Sequence, residues 1–313
     1  MFDIRLNLLL LFFLFIMGEN FAVAEQQNKV NNVVVLKDKG SVNNKIIPIE
    51  ENIKEKKPLY PKDIQDIINK GKIVVAMYHI DTPPFYYVDD KGNLAGVDVE
   101  LIKGFAKLLN VDIEFNRESK FLNSTLDKVL NNEADLAITK LSITFSRVKR
   151  ALFTKPYINL HQALLINRLL LAKQLKGRSR EETIQNLRGK IGVIAKSSYV
   201  KYAKQRFKYA EVVGYKTWLD AVDAVLKGEV IAAYRDEAEI KKIIRDRPDT
   251  ALKLLSVVLK DAKDPKGIAV AANKRHLKTL LDFYIDSLEL NLTADKVLNE
   301  YELVVNSIKT RTK

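Results

Sequence analysis

The chain has 313 residues, no cysteine and a formal net charge of +13, and 47% of its residues are hydrophobic, enough to bury the cores of two domains of ordinary size. The lack of cysteine excludes a disulfide framework and a lipid-modified cysteine. So basic a protein calls for a nucleic-acid test, but the lysines are dispersed over every predicted helix and no recognition motif or aromatic-basic platform appears; the charge reads as a solvated basic surface, with nucleic acid excluded as a partner.

Arg5 precedes the unbroken apolar run Leu8–Met17, and Ala22-Val23-Ala24 offers a small-x-small cleavage site before Glu25. Residues 1–24 therefore read as a secretory signal peptide, with an apolar part too short to span a bilayer. Its removal takes away Arg5, Asp3 and Glu19 and leaves a net charge of +14. Residues 25–58 surround one apolar patch, Val33–Leu36, with polar and charged residues and read as a flexible leader.

Beyond the leader, strands and helices alternate. Pro61 starts a helix that carries Ile64, Ile67 and Ile68 on one face and stops at Gly71, before the strand Ile73–Met77. Asp89-Asp90-Lys91-Gly92 marks a turn. Asp98 is expected to cap a helix whose Leu101, Ile102, Phe105, Leu108 and Leu109 form one apolar stripe, and the strand Val111–Phe115 follows. The run Leu136–Ile138 reads as a buried strand. Thr139–Thr144 then supplies hydroxyls and free backbone N–H groups where the next helix begins, with Arg147 one turn later. Such a turn suits a carboxylate, because helix N-terminal amides carry partial positive charge and a guanidinium offers a planar bidentate fork. A lone S-x-T-x-x-R is also met as a surface arginine beside a capped helix.

The basic stretch Lys173–Arg180 reads as an exposed loop. Three more strand–helix units follow: Ile191–Ile194 with Tyr199–Phe207, Val230–Tyr234 with Glu237–Ile244, and Ile268–Ala272 with His276–Leu288. Asp264-Pro265-Lys266-Gly267 reads as a break between units. The alternation predicts an α/β fold with helices on both faces of its sheets, and such sheets bind ligands at the C-terminal ends of their strands. His79, His161 and His276 lie in no metal-ligand spacing, no G-x-S-x-G elbow surrounds Ser197-Ser198, and no P-loop is present, so no metal or other cofactor is expected.

The stretches Lys70–Phe115, Leu126–Tyr157, Leu187–Tyr202 and Val230–Ile240 resemble, in order, the family 3 solute-binding proteins, the periplasmic amino-acid receptors of ABC importers. The resemblance covers Leu59–Val305 and implies a two-lobe, type II periplasmic-binding-protein-like fold. Each lobe would be a mostly parallel sheet flanked by helices, with two hinge crossings between them. Lobe 1 would take residues 59–161 plus 265–308 and lobe 2 residues 162–264. The implied protein is a periplasmic monomer and not an enzyme. It would capture an amino acid or related small carboxylate by hinge closure and deliver it to an ABC permease in the inner membrane.

By the same resemblance Arg147 pairs with the ligand α-carboxylate, with Ser142 and Thr139 as hydroxyl donors nearby and Ser198 contributing from the second lobe, while Asp236 accepts the α-ammonium. Asp236 reads equally as the N-cap of the helix after it, and Asp98 as a helix cap behind the site or as a direct ligand contact. Several family positions are altered. Thr82 stands three residues before Phe85, where the family usually has an aromatic ring, so the usual stacking surface is missing or is supplied by Tyr78, Tyr86 or Phe121. His79 stands where receptors for basic amino acids can carry an acid. Lys140 replaces a usually small residue, Lys196 a common glycine, and Arg235 precedes Asp236. If these cations face the cleft, acidic amino acids or dicarboxylates are preferred over lysine or arginine; if they face solvent, the preference disappears. Two other readings stay open: a cyclohexadienyl or arogenate dehydratase with His79 and Glu237 as its acid-base groups, and a sensory receptor without a transport role. Membrane-bound lytic transglycosylases carry a similar binding module, but this chain ends at Lys313, so no muramidase domain is expected after it.

Overall fold

The computed structural model describes residues 59–312, and the expected signal peptide and leader lie outside them. Pro61 opens helix α1 (Lys62–Lys70), and Gly71 closes it with a φ of 69°, which glycine adopts without a steric penalty. Strand β1 (Lys72–Tyr78) leads to the small hairpin β2 (Tyr87–Val88) and β3 (Leu94–Ala95), then α2 (Val97–Leu108), β4 (Asp112–Ser119), α3 (Leu122–Leu130), β5 (Leu136–Ala137), α4 (Phe145–Val148) and β6 (Leu152–Phe153). The chain enters a second sheet through β7 (Ile158–Asn167). There it adds α5 (Arg168–Leu175), α6 (Arg180–Gln185), β8 (Gly189–Ile194), α7 (Ser198–Arg206), β9 (Ala210–Tyr215), α8 (Trp218–Lys227), β10 (Ala232–Asp236), α9 (Glu237–Asp246) and β11 (Leu254–Lys266). It returns with β12 (Ala269–Val270) and ends in α10 (Arg275–Leu288), α11 (Ala294–Asn299) and α12 (Tyr301–Arg311).

Two five-stranded sheets result, one in the order β4-β1-β5-β12-β6 and the other in the order β11-β7-β10-β8-β9. Each mixes directions. β1 runs parallel to β4 and β5, and β8 parallel to β9 and β10. The strands beside the crossings, β7, β11 and β12, run antiparallel to their neighbours. Successive residues of β7 face opposite sides of its sheet: Leu164 and Ile166 join a core with Ile191, Val193 and Tyr234, while Ala163 and Leu165 join another with Val222, Val225 and Ile240. Helices therefore cover both faces. The first sheet buries Ile73, Val75 and Met77 against Ile102, Leu277, Leu281 and Ile308.

Three local expectations change. The segment read as an exposed loop at Lys173–Arg180 is helical through Leu175. The expected break at Asp264–Gly267 is strand through Lys266: after a register shift, Lys263–Lys266 pair with His161–Ile158, so the crossing is a two-stranded ribbon. Asp98 does not cap α2. Gly96 does, at a φ of 124° where an added Cβ would lie 2.2 Å from the Phe85 carbonyl oxygen, and this leaves the Asp98 side chain inside the helix for another partner.

Gly104 sits where α2 passes α10. A Cβ there would lie 2.4 Å from the Tyr284 hydroxyl, which donates to the Leu101 carbonyl at 2.8 Å, and 2.7 Å from Thr312 Cγ2. Alanine would add up to about 1 kcal/mol of helix propensity, but overpacking costs about 1 to 3 kcal/mol. Gly104→Ala is therefore expected to unfold at lower urea concentration than the parent, a sign opposite to the propensity effect; a higher midpoint would show that the contact yields freely.

Candidate functional site

After β5 the chain turns through Thr139–Thr144 into the short helix α4. Thr144 caps that helix, its hydroxyl accepting the Arg147 amide at 3.3 Å. The cap folds Arg147 back under its own turn, where it is only 5% exposed. Its Nη1 donates to the Ser142 carbonyl at 2.8 Å, and Nε and Nη2 donate to Asn123 Oδ1 at 3.2 and 2.9 Å. Burial lowers its pKa against the pull of Asp264, yet among the described residues no carboxylate lies within ion-pair distance of it. Asn123 was not expected from the sequence; an asparagine in the first turn of α3 has no pattern that announces it.

Lys140, on the same turn, adopts a φ of 51°, a left-handed conformation that costs a residue with a side chain about 1 to 3 kcal/mol. Its amide donates to Asp98 Oδ2 at 2.8 Å, and its ammonium points inward over the Phe85 ring. There Nζ meets Asp236 at 3.0 Å and Glu239 at 2.5 Å. Asp236 ends β10, caps α9 by accepting the Glu239 amide at 3.4 Å, and is 1% exposed. Lys266 Nζ lies 3.7 Å and Arg235 Nε 3.8 Å from its other oxygen. Burial alone would raise the Asp236 carboxyl; the Lys140, Lys266 and Arg235 charges outweigh it and hold its pKa far below the ordinary range. Asp236 thus serves as helix cap and ion-pair partner together.

Lys266, read from the sequence only as part of a break, is 2% exposed and joins the two halves of the site. Its ammonium pairs with Asp264 and donates to Ser142 Oγ at 3.1 Å, the same oxygen that Ser198 Oγ approaches at 3.1 Å from the second sheet. Tyr199 donates to Asp264 Oδ2 at 2.6 Å. Alternate residues of a strand share a face, which is how Asp264 and Lys266 come together; turn composition concealed that pairing.

Thr139, Lys140, Ser142, Arg147, Ser198 and Asp236 all line one cavity between the two sheets, with a volume of 20 Å³. That is room for about one water molecule, so in this arrangement the chain's own side chains fill the cleft. Arg147 and Asp236 face the same space. Thr82, Phe85 and Asp98 do not line it: Thr82 donates to the Tyr86 hydroxyl at 3.0 Å, Phe85 lies beneath Lys140, and Asp98 holds the Lys140 amide. Of the three cations whose direction was open, Lys140 and Arg235 turn inward, while Lys196 is exposed with its ammonium 3.8 Å from the centre of the Phe121 ring. Lys196 has a φ of 57°, a conformation natural to glycine. His79 and Glu237 do not pair. His79 Nδ1 contacts the Ser119 carbonyl, Glu237 accepts from His161 and Lys241, and neither lines the cavity.

Residues 73–303 match the family of bacterial extracellular solute-binding proteins, family 3. The amino-acid-binding protein AabA of Dichelobacter nodosus is 27% identical over 223 residues, 70% of this chain and 83% of that protein. The membrane-bound lytic murein transglycosylase F of Saccharophagus degradans is 33% identical over 146 residues, a match that spans 46% of this chain and only 27% of the transglycosylase. Among solved structures, the amino acid ABC transporter substrate-binding protein AbpA of Streptococcus pneumoniae, bound to L-arginine, is similar with a TM-score of 0.61 at 25% identity, over 80% of this chain and 99% of that one. The two-sheet architecture is the two-lobe, type II periplasmic-binding-protein fold.

Asp98 is fully buried, and its Oδ1 has no hydrogen-bond partner; the neighbouring Tyr157 hydroxyl makes no well-aligned bond to it. Burial pushes the carboxyl up from 3.8 to about 7, against the Tyr157 hydroxyl and the amide and charge of Lys140. The folded protein therefore keeps a proton that the unfolded chain gives up, so this contribution to stability is complete below about pH 4 and is lost as pH rises through about 7. Asp98→Asn keeps an acceptor for the Lys140 amide and removes the titration. Urea midpoints compared at about pH 5 and about pH 8 should fall less in the variant than in the parent; equal declines would place the titration elsewhere.

Proposed function

The chain belongs to the family 3 bacterial extracellular solute-binding proteins, and we propose that it captures a small anionic solute, an acidic amino acid or a related dicarboxylate, in the periplasm and delivers it to an ABC importer. One observation carries this reading: a buried guanidinium, Arg147, faces the interlobe cavity with its hydrogen bonds answered only by neutral oxygens. A buried charge without a counter-ion is costly, and a carboxylate from outside supplies the missing partner in bidentate geometry. Ser142 and Ser198 stand beside it with hydroxyls from both lobes.

The choice of solute follows from Asp236. Relatives named as arginine-binding proteins, such as ABC transporter arginine-binding protein 1 of Escherichia coli, are 22% identical to this chain, but here Lys140 and Lys266 already answer the carboxylate that an ammonium would seek. A cationic ligand must compete with them, whereas a second carboxylate on the ligand is attracted. Because the cavity is far smaller than an amino acid, entry requires the lobes to part, and reclosure around the solute gives the shape that a permease can read.

Truncating one partner of a buried charge pair costs roughly 2 to 5 kcal/mol, so Arg147→Ala should weaken solute binding by about 30-fold or more in calorimetry. The parent should bind glutamate more tightly than arginine; tight arginine binding with none for glutamate would refute the preference. Lys140→Ser frees Asp236 and Glu239 and should move that ratio toward arginine, which parallel titrations of the two ligands would reveal.

A further inference from the structure

Arg235 and Ile194, which line the cavity, also line a larger recess of 280 Å³ walled by Tyr78 and Thr82 from the first lobe and by Trp218 and Glu239 from the second. Its donors are unanswered. Arg235 is 8% exposed, and among the described residues its guanidinium makes no hydrogen bond: the nearest acids are Asp236, 3.8 Å from Nε, and Glu239, 4.0 Å from Nη2. Those carboxylates offset its charge from a distance and are engaged by Lys140 at 3.0 and 2.5 Å. The other charged groups on the walls are also paired, Asp81 with Arg117 and Lys242 with Asp246. The guanidinium lies over the Trp218 ring, 5.6 Å from its centre, and the Trp218 indole nitrogen is buried without a partner.

Buried polar groups in folded proteins are almost always hydrogen-bonded. Here a guanidinium borders the recess without an acceptor of ordinary geometry. The walls beside it, Tyr78, Ile80, Ile194 and Ile243, are largely apolar. A largely apolar chamber with a placed polar group is the usual composition of a ligand pocket, and this one suits a short methylene arm that ends in a carboxylate.

We propose that the recess is a second anion subsite, in which the Arg235 guanidinium receives the distal carboxylate of the solute while Arg147 holds the first. The inference rests on the carboxylate-capture reading above and adds where the second charge goes. It also assigns Arg235 a selective role: the residue discriminates dicarboxylates from monocarboxylates of the same length.

Trp218 is the single tryptophan of the chain, so tryptophan emission reports on this recess. The full chain would be titrated with glutarate and with valerate, a dicarboxylate and a monocarboxylate of equal carbon count, by calorimetry and by emission. Glutarate should bind at least about 10-fold more tightly and shift the emission. Arg235→Gln and the milder Arg235→Lys should each reduce the glutarate-to-valerate affinity ratio, the former by about 10-fold, while Arg147→Ala weakens both ligands together. A ratio near one in the parent, or one unchanged in both folded variants, overturns the subsite and leaves the capture reading standing. Failure of the parent to bind either acid overturns the subsite, and failure to bind glutamate as well overturns the capture reading with it.

Discussion

The site turns on one buried carboxylate with three cations around it. Asp236 lies at the end of β10 in the second lobe, and Lys140 and Lys266 reach it from the turn after β5 and from the crossing strand β11, with Arg235 beside it. Bringing these charges out of water is expensive, and their mutual attraction offsets that cost only while every partner is present. Such a network is therefore weak as a source of stability and strong as a determinant of arrangement. In this arrangement it ties the two sheets together, with Lys140 of the first meeting Asp236 of the second.

The backbone supports that arrangement at some cost. Lys140 reaches Asp236 from a left-handed turn residue whose amide is held by Asp98. Asp98 is free to do so because Gly96, not Asp98, caps the start of the helix, at a point where the Phe85 carbonyl approaches too closely for any side chain. A glycine, a buried acid and a strained lysine thus act in series, and the Phe85 ring lies under the ammonium they position. Strain and buried polar groups held by their surroundings are the kind of feature that collects at functional sites.

Much of this was legible in the sequence, and the rest was hidden for definable reasons. Apolar periodicity placed β1, α2 and the βα units of the second sheet, since burial on one face imposes a period that survives without knowledge of the fold. The Thr139–Arg147 turn and Asp236 stood out because strand ends and helix starts concentrate polar groups. The direction of Lys140 did not stand out, because a lysine on a loop can face either way until the sign of its φ is known. Lys266 and Asp264 lay in a stretch with the composition of a turn, and only their pairing with β7 puts them on one face of a strand. The recess beside Trp218 needs Tyr78 from β1 and Arg235 from β10, residues far apart along the chain whose meeting depends on how the lobes close.

Charge balance then separates general attraction from selection. Outside the cavity, Arg147 borders a groove of 1020 Å³ that also carries Arg150, Lys196, Lys201 and Lys204, with no acidic side chain among its described lining. A one-sided field of this kind raises the local concentration of anions and weakens with salt, but it treats all small anions alike. Inside, most charges are answered by the chain itself: Asp236 by lysines, Glu239 by Lys140, Lys266 by Asp264. Specificity is a difference between partners, and it is set as much by the contacts a site refuses as by those it offers. On the proposed reading an ammonium would find Asp236 and Glu239 already engaged by Lys140. On the same reading a carboxylate finds Arg147 buried, oriented by Asn123 and Ser142, and lacking an anionic partner, and the lysines that fill the cleft would decide which charge it has left to receive.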